Sequence, residues 1–70
     1  KKEIGMSPME YLIAIRIKES KILLRTTNYS ISQVADIVGF TTPTYFSKQF
    51  RKSTGISPTD YREQYQGVQK

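Results

Sequence analysis

Four helix-start signatures lie along these 70 residues, and they leave little room for anything but helices. Ser7-Pro8-Met9-Glu10 is a capping box. The serine oxygen takes a free backbone N–H, the glutamate reaches back to the cap, and proline sits where its missing N–H costs nothing. From there to about Thr26 no residue breaks a helix, and Thr26-Thr27-Asn28-Tyr29 is a polar connection. Ser30-Ile31-Ser32-Gln33 is a second capping box, opening a short helix that carries Val34, Ile37 and Val38 at helical spacing. Gly39 ends it, because glycine accepts the left-handed conformation of a helix stop. Thr42 caps a third helix with Pro43 at its first position, Tyr45, Phe46 and Phe50 as apolar anchors, and Gly55 as its stop. Ser57-Pro58-Thr59-Asp60 begins a fourth, which runs through Tyr61 and Tyr65 toward Gly67. No alternating strand pattern of useful length interrupts this order, so the expected class is all-α with four helices.

Composition then removes whole classes of function. A chain this short holds at most one small domain with a modest core. It has no cysteine and no histidine, so no disulfide, no thiolate ligand and no imidazole base or ligand is available. Absence of cysteine fits a reducing, cytoplasmic setting. The carboxylates Glu3, Glu10, Glu19, Asp36, Asp60 and Glu63 show no paired spacing, and no phosphate loop or nucleophile motif occurs. An enzyme is therefore not expected, nor is a cofactor or a metal. No apolar run approaches a membrane span or a signal-peptide core, so no membrane partner is expected. Eleven Lys and Arg against six Asp and Glu leave a net charge of +5, which favours a polyanionic partner.

The chain also repeats itself. At an offset of 50 positions Lys2 matches Lys52, Gly5 matches Gly55, Ser7-Pro8 matches Ser57-Pro58, and Tyr11 matches Tyr61. Two helix caps alone would not account for the matching tyrosine and basic pair. Residues 1–5 are accordingly expected to be the end of a first, truncated unit. Residues 6–27 follow as a connecting helix, 28–66 as a second unit with a C-terminal helix, and 67–70 as a tail. A helix over 8–26 would be about 28 Å long, close to the roughly 34 Å between successive major-groove faces on one side of B-DNA. Ile13, Ile17, Ser20 and Leu24 form one stripe along it, with Leu12 and Leu23 beside them, while Ile15 and Ile22 point well away. A helix with two apolar faces needs two partners. Glu10, Lys18, Lys21 and Arg25 are expected on its solvated side.

Around Gly39 the pattern becomes helix, tight turn, helix. A short turn containing glycine is what the DNA-reading helix-turn-helix uses. Phe40 is expected to lock the turn into the core, Phe46 and Phe50 to face inward, and Tyr45 to lie partly exposed at the rim. The outward residues are then Thr44, Ser47, Lys48 and Arg51, with Thr42 and Pro43 at the N-terminus. Lys48 can donate to guanine O6/N7, Thr44 and Ser47 can hydrogen-bond a base, and the Thr44 methyl can meet a thymine methyl. Thr42 with the helix N-terminus suits a phosphate. Pro43 offers no N–H and only apolar contact. Arg51 and Lys52, further along, suit phosphates. The alternative is a small helical protein-interaction module that does not bind DNA.

Ile31 to Gly39-Phe40, then Tyr45-Phe46-Ser47, Phe50-Arg51-Lys52 and Thr54-Gly55-Ile56-Ser57-Pro58-Thr59-Asp60-Tyr61-Arg62, strongly resembles the signature of AraC/XylS transcription regulators. Met6 to Leu12, followed by Arg16-Ile17 and Leu23-Leu24, is similar to that family's linker helix. The resemblance implies a homeodomain-like helix-turn-helix unit of three to four helices behind a long linker helix, the C-terminal part of a domain with two such units. It implies bacterial transcription activation, with each recognition helix (here about 43–54) in one of two adjacent major grooves. Double-stranded DNA is the implied partner, with RNA polymerase and an upstream sensor or effector domain as further ones. The sequence departs from the pattern in carrying only a stub of the first unit, and in Ser20, where the family tends to have alanine.

Overall fold

A computed structural model describes residues 7–66. The expected unit end at residues 1–5 and the tail at 67–70 lie outside the described residues. Four helices follow in order: α1 Pro8–Thr26, α2 Ile31–Val38, α3 Pro43–Thr54 and α4 Pro58–Gln66. Among the described residues there is no strand, and no helix is long and apolar enough to cross a membrane.

Each N-terminus is closed by the side chain that its cap residue supplies. At α1 the Glu10 amide donates to Ser7 Oγ at 3.1 Å and the Ser7 amide to Glu10 Oε1 at 3.0 Å. The same reciprocal pair joins Ser30 and Gln33 at 3.0 and 2.9 Å. Thr42 Oγ1 accepts from the Tyr45 amide at 3.1 Å, and Ser57 Oγ from the Asp60 amide at 3.1 Å. Such caps relieve the orphan donors that every helix start carries.

The stops differ in construction. Gly39 has φ 101°, and its amide bonds Asp36 O at 3.2 Å and Ala35 O at 3.1 Å, while the Phe40 amide bonds Ala35 O at 2.9 Å. This is a Schellman motif, completed by apolar burial of both Ala35 and Phe40. Gly55, at φ 91°, uses the simpler single bond to Arg51 O at 2.7 Å. α1 has no glycine stop. Its last carbonyls are instead served by Arg62 on α4, whose Nε donates to Leu24 O and Nη2 to Thr27 O, both at 3.2 Å. Hydrogen bonds from a charged donor contribute about 1.5–3 kcal/mol. Arg62→Met is therefore expected to destabilise the chain by about 1–2 kcal/mol, read as a lower urea midpoint, with Glu63→Ala as an exposed control. Equal midpoints for the two variants would contradict the capping role.

Ile17, Leu24, Val34, Phe40, Phe46, Phe50 and Tyr61 make one core with Ala35. Ring contacts run through it from the turn to α4: Phe40 to Phe46 at 5.2 Å, Phe46 to Phe50 at 5.7 Å, Phe50 to Tyr61 at 5.3 Å, and Tyr61 to Tyr65 at 4.5 Å. Ser20 is fully buried on α1, and its hydroxyl donates to Ile17 O at 2.6 Å, so this buried polar group is satisfied.

Two expectations about faces are corrected. Ile37 does not join Val34 and Val38 inside; it is 54% exposed, and Ala35 is buried instead. The buried stripe of α2 is centred on Ile31, Val34, Ala35 and Val38, and Ile37 lies roughly 110° from that centre at 3.6 residues per turn. Leu12 is exposed rather than beside the core, whereas Leu23 packs against it. Arg25 is exposed on α1 as expected, and it also donates to Tyr61 Oη at 3.0 Å and lies over the Tyr65 ring at 5.9 Å.

Candidate nucleic-acid interface

α3 is presented by its own aromatic residues. Phe46 and Phe50 are fully buried one turn apart, which fixes the rotation of the helix about its axis. Lys48 then projects almost directly away from the core, with Thr44 and Arg51 within roughly 60° of it on one side and Lys52 about 40° away on the other. Thr42, Pro43, Thr44, Lys48, Arg51 and Lys52 are all exposed, and Ser47 is partly buried. Thr44, Lys48 and Arg51 therefore share one strip at a spacing of four and three residues. Ser47 stands at its inner edge.

Lys52 flanks Lys48 on the other side, toward α1. It borders a cleft between α1 and α3 that is also lined by Glu10, Ile13, Ala14, Gln49 and Ser53. Thr42 uses its oxygen to accept the Tyr45 amide, and its hydroxyl proton remains able to donate outward. Tyr45 is 39% exposed, in keeping with the partial exposure expected of it, with its ring edge-on to Phe40 at 5.7 Å.

One part of this surface was not legible beforehand. Ser32, Gln33 and Asp36 from the outer side of α2 meet Thr41 and Pro43 in a shallow groove beside the start of α3. The capping box at 30–33 marked the α2 start but did not show that it lies next to Pro43. Asp36 makes this groove unfavourable for a phosphate, so the attraction for an anion lies on the Lys48 and Arg51 side. Among the described residues no three acidic side chains gather as a metal site would require.

The glycine stops before and after α3 differ in tolerance. A Cβ on Gly39 would stand 3.1 Å from Arg16 Nε and 3.2 Å from its Cζ, whereas one on Gly55 would meet nothing within 4 Å. Both glycines have positive φ, where an L residue costs roughly 1–2 kcal/mol. Gly39→Ala is expected to lower the thermal midpoint more than Gly55→Ala, because it adds displacement of Arg16 to the same backbone cost. Equal losses in a pair of melting curves would show that the Arg16 contact relaxes freely.

The sequence matches the family described as a helix-turn-helix domain over residues 1–64. It is 43% identical over 60 residues to the uncharacterized HTH-type transcriptional regulator YisR of Bacillus subtilis (strain 168), covering 86% of this chain and 21% of that protein. It is 38% identical over 65 residues to the HTH-type transcriptional activator RhaR of Yersinia pseudotuberculosis serotype O:1b (strain IP 31758), covering 93% of this chain and 22% of RhaR. The chain thus spans about a fifth of the length of these relatives. Among solved structures it resembles the DNA-binding domain of AdpA, a global transcriptional factor, in complex with a target DNA. The TM-score is 0.87 at 36% identity, over 91% of this chain and 58% of that one. The C-terminal domain of AraT, a response regulator from Geobacillus stearothermophilus, gives 0.83 at 39% identity, over 89% and 51%.

Proposed function

The chain belongs to the AraC-type helix-turn-helix family, and from that premise we propose that it binds double-stranded DNA as part of a bacterial transcription regulator, with α3 in the major groove. The observation that carries this is the strip Thr44, Lys48 and Arg51, exposed on the side of α3 opposite buried Phe46 and Phe50. Lys48 and Thr44, with Ser47 at their edge, meet base edges. Thr42 and the α3 N-terminus hold a phosphate, with Pro43 in apolar contact beside them. Arg51 and Lys52 add phosphate contacts, Lys52 from the margin. The likeness to a DNA-bound domain supports this role over a helical module that ignores DNA.

Residues 1–5 end a preceding unit of the same kind, 6–27 link it to the unit at 28–66, and 67–70 form a tail. The exposure of α1 supports this division. Tyr61 is 7% exposed, but its repeat partner Tyr11 is 57% exposed, and Ile15 and Ile22 are exposed along the same face. A preceding unit covers that face as the Phe50 unit covers Tyr61. An upstream sensor or effector domain, contact with RNA polymerase and a cytoplasmic location complete the reading; the length of the relatives supports the first of these.

The test is an NMR titration of the labelled chain with a DNA duplex at two salt concentrations. Shifts concentrated over residues 42–52 that weaken with salt are expected. A folded chain with no shifts at low salt, even after the preceding unit is joined to it, would refute the proposal.

A further inference from the structure

The geometry points to Arg16 as a positioning residue: its guanidinium lies against the turn at Gly39 and sets the angle between α3 and the linker helix α1. Arg16 is half-buried on α1, outside the strip of residues that face DNA. Measured from a Cβ position on Gly39, its Nε, Cζ and Nη2 stand at 3.1, 3.2 and 3.4 Å. Three atoms of one plane at nearly equal distance mean that the guanidinium covers this side of the glycine face-on. A Cβ there would press the guanidinium back by a few tenths of an ångström, so the turn glycine serves both the positive φ and the close seat of the arginine.

Electrostatics favour the same placement. The C-terminal end of a helix carries partial negative charge, and a cation there is stabilising. α2 has no basic residue in its own last turn, and Arg16 brings one from another helix. A lysine would supply the charge but not the flat, spread surface. What Arg16 holds is then passed on. Gly39 is followed by Phe40, which is buried and whose ring meets Tyr45 edge-on and Phe46 at a tilt near the start of α3. A shift of the turn therefore moves the start of α3.

The consequence for DNA rests on the function proposed above. Two recognition helices joined by α1 reach adjacent grooves only if each holds its angle to that helix. Arg16 would then control affinity without touching DNA.

Arg16→Met and Arg16→Lys test this in the full chain. The first readout needs no DNA: amide hydrogen exchange at Gly39 and Phe40, both of which bond Ala35 O, compared with Tyr61 on α4. Arg16→Met is expected to speed exchange at the two turn amides by about tenfold relative to Tyr61, as local opening would. Arg16→Lys is expected to restore part of this. The second readout is affinity for a duplex as a function of salt. Arg16→Met is expected to weaken binding about fivefold or more with the salt slope unchanged, since no phosphate contact is lost.

Exchange that rises equally everywhere, or nowhere, would overturn the assignment, and so would a slope reduced by about one, which marks a phosphate contact. If the unmodified chain fails to bind the duplex, the DNA-binding proposal is at fault, and the exchange comparison still decides the role of Arg16. If Arg16→Met does not fold, Arg16→Lys takes both measurements.

Discussion

Phe50→Ala is expected to leave the chain largely unfolded at room temperature. Phe50 is fully buried on α3 and is the ring through which α3 meets α4, 5.7 Å from Phe46 and 5.3 Å from Tyr61 in edge-on contacts. Truncating a buried phenylalanine costs about 3–5 kcal/mol, and each aromatic pair adds about 0.5–1.5. A single core in a chain of this size rarely supplies more than about 3–5 kcal/mol in total. The loss therefore matches or exceeds what holds the fold together, and no disulfide is present to offset it. Tyr61 would also lose the ring beneath it while holding Arg25. Far-UV circular dichroism along a urea series is the measurement, with Phe50→Leu as the variant that keeps most of the burial. A cooperative transition for Phe50→Ala within about 1 kcal/mol of the parent would mean that the α3–α4 contact is not a keystone.

Lys48→Ala and Arg51→Ala are expected to weaken DNA binding in two distinguishable ways. Both side chains are exposed, so neither variant should alter the circular dichroism spectrum or the urea midpoint. Lys48 is aimed most directly away from the core. Loss of a base contact there costs about 1–3 kcal/mol, roughly 5- to 150-fold in affinity, and flattens preference at one base position. Arg51, a turn further along, is expected to act on phosphate. Its removal weakens binding to all sequences alike and lowers the slope of log affinity against log salt by about 0.9. Fluorescence anisotropy on two duplexes at several salt concentrations separates the two patterns. Lys18→Ala, an exposed lysine of α1, is the control for net charge. If Lys48→Ala costs no more than Lys18→Ala, α3 is not the reading helix.

The two predictions draw on information of different range. Local chemistry within four or five residues was readable directly. Ser7 with Glu10, Ser30 with Gln33 and Thr42 with Tyr45 are capped as their spacing requires, and Gly39 and Gly55 stop their helices in the left-handed conformation. The period of Phe46 and Phe50 was enough to orient α3, and with it the outward residues Thr44, Lys48 and Arg51. Periodicity failed where a short helix offers several apolar stripes. On α2 the set Val34, Ile37, Val38 is as regular as the set Val34, Ala35, Val38, and only the placement of α1 and α3 against α2 selected the second.

The sequence by itself determined where helices begin and end, which aromatic rings go inside, and which family the chain belongs to, because caps, stops and motif register are encoded between near neighbours. Only the tertiary structure decided that Arg62 closes α1 through Leu24 O and Thr27 O, that Arg16 lies against Gly39, and that Lys52 borders the cleft between α1 and α3. Those outcomes depend on the angle at which one helix crosses another. That angle is set by the summed packing of the core, and no single stretch of sequence contains it.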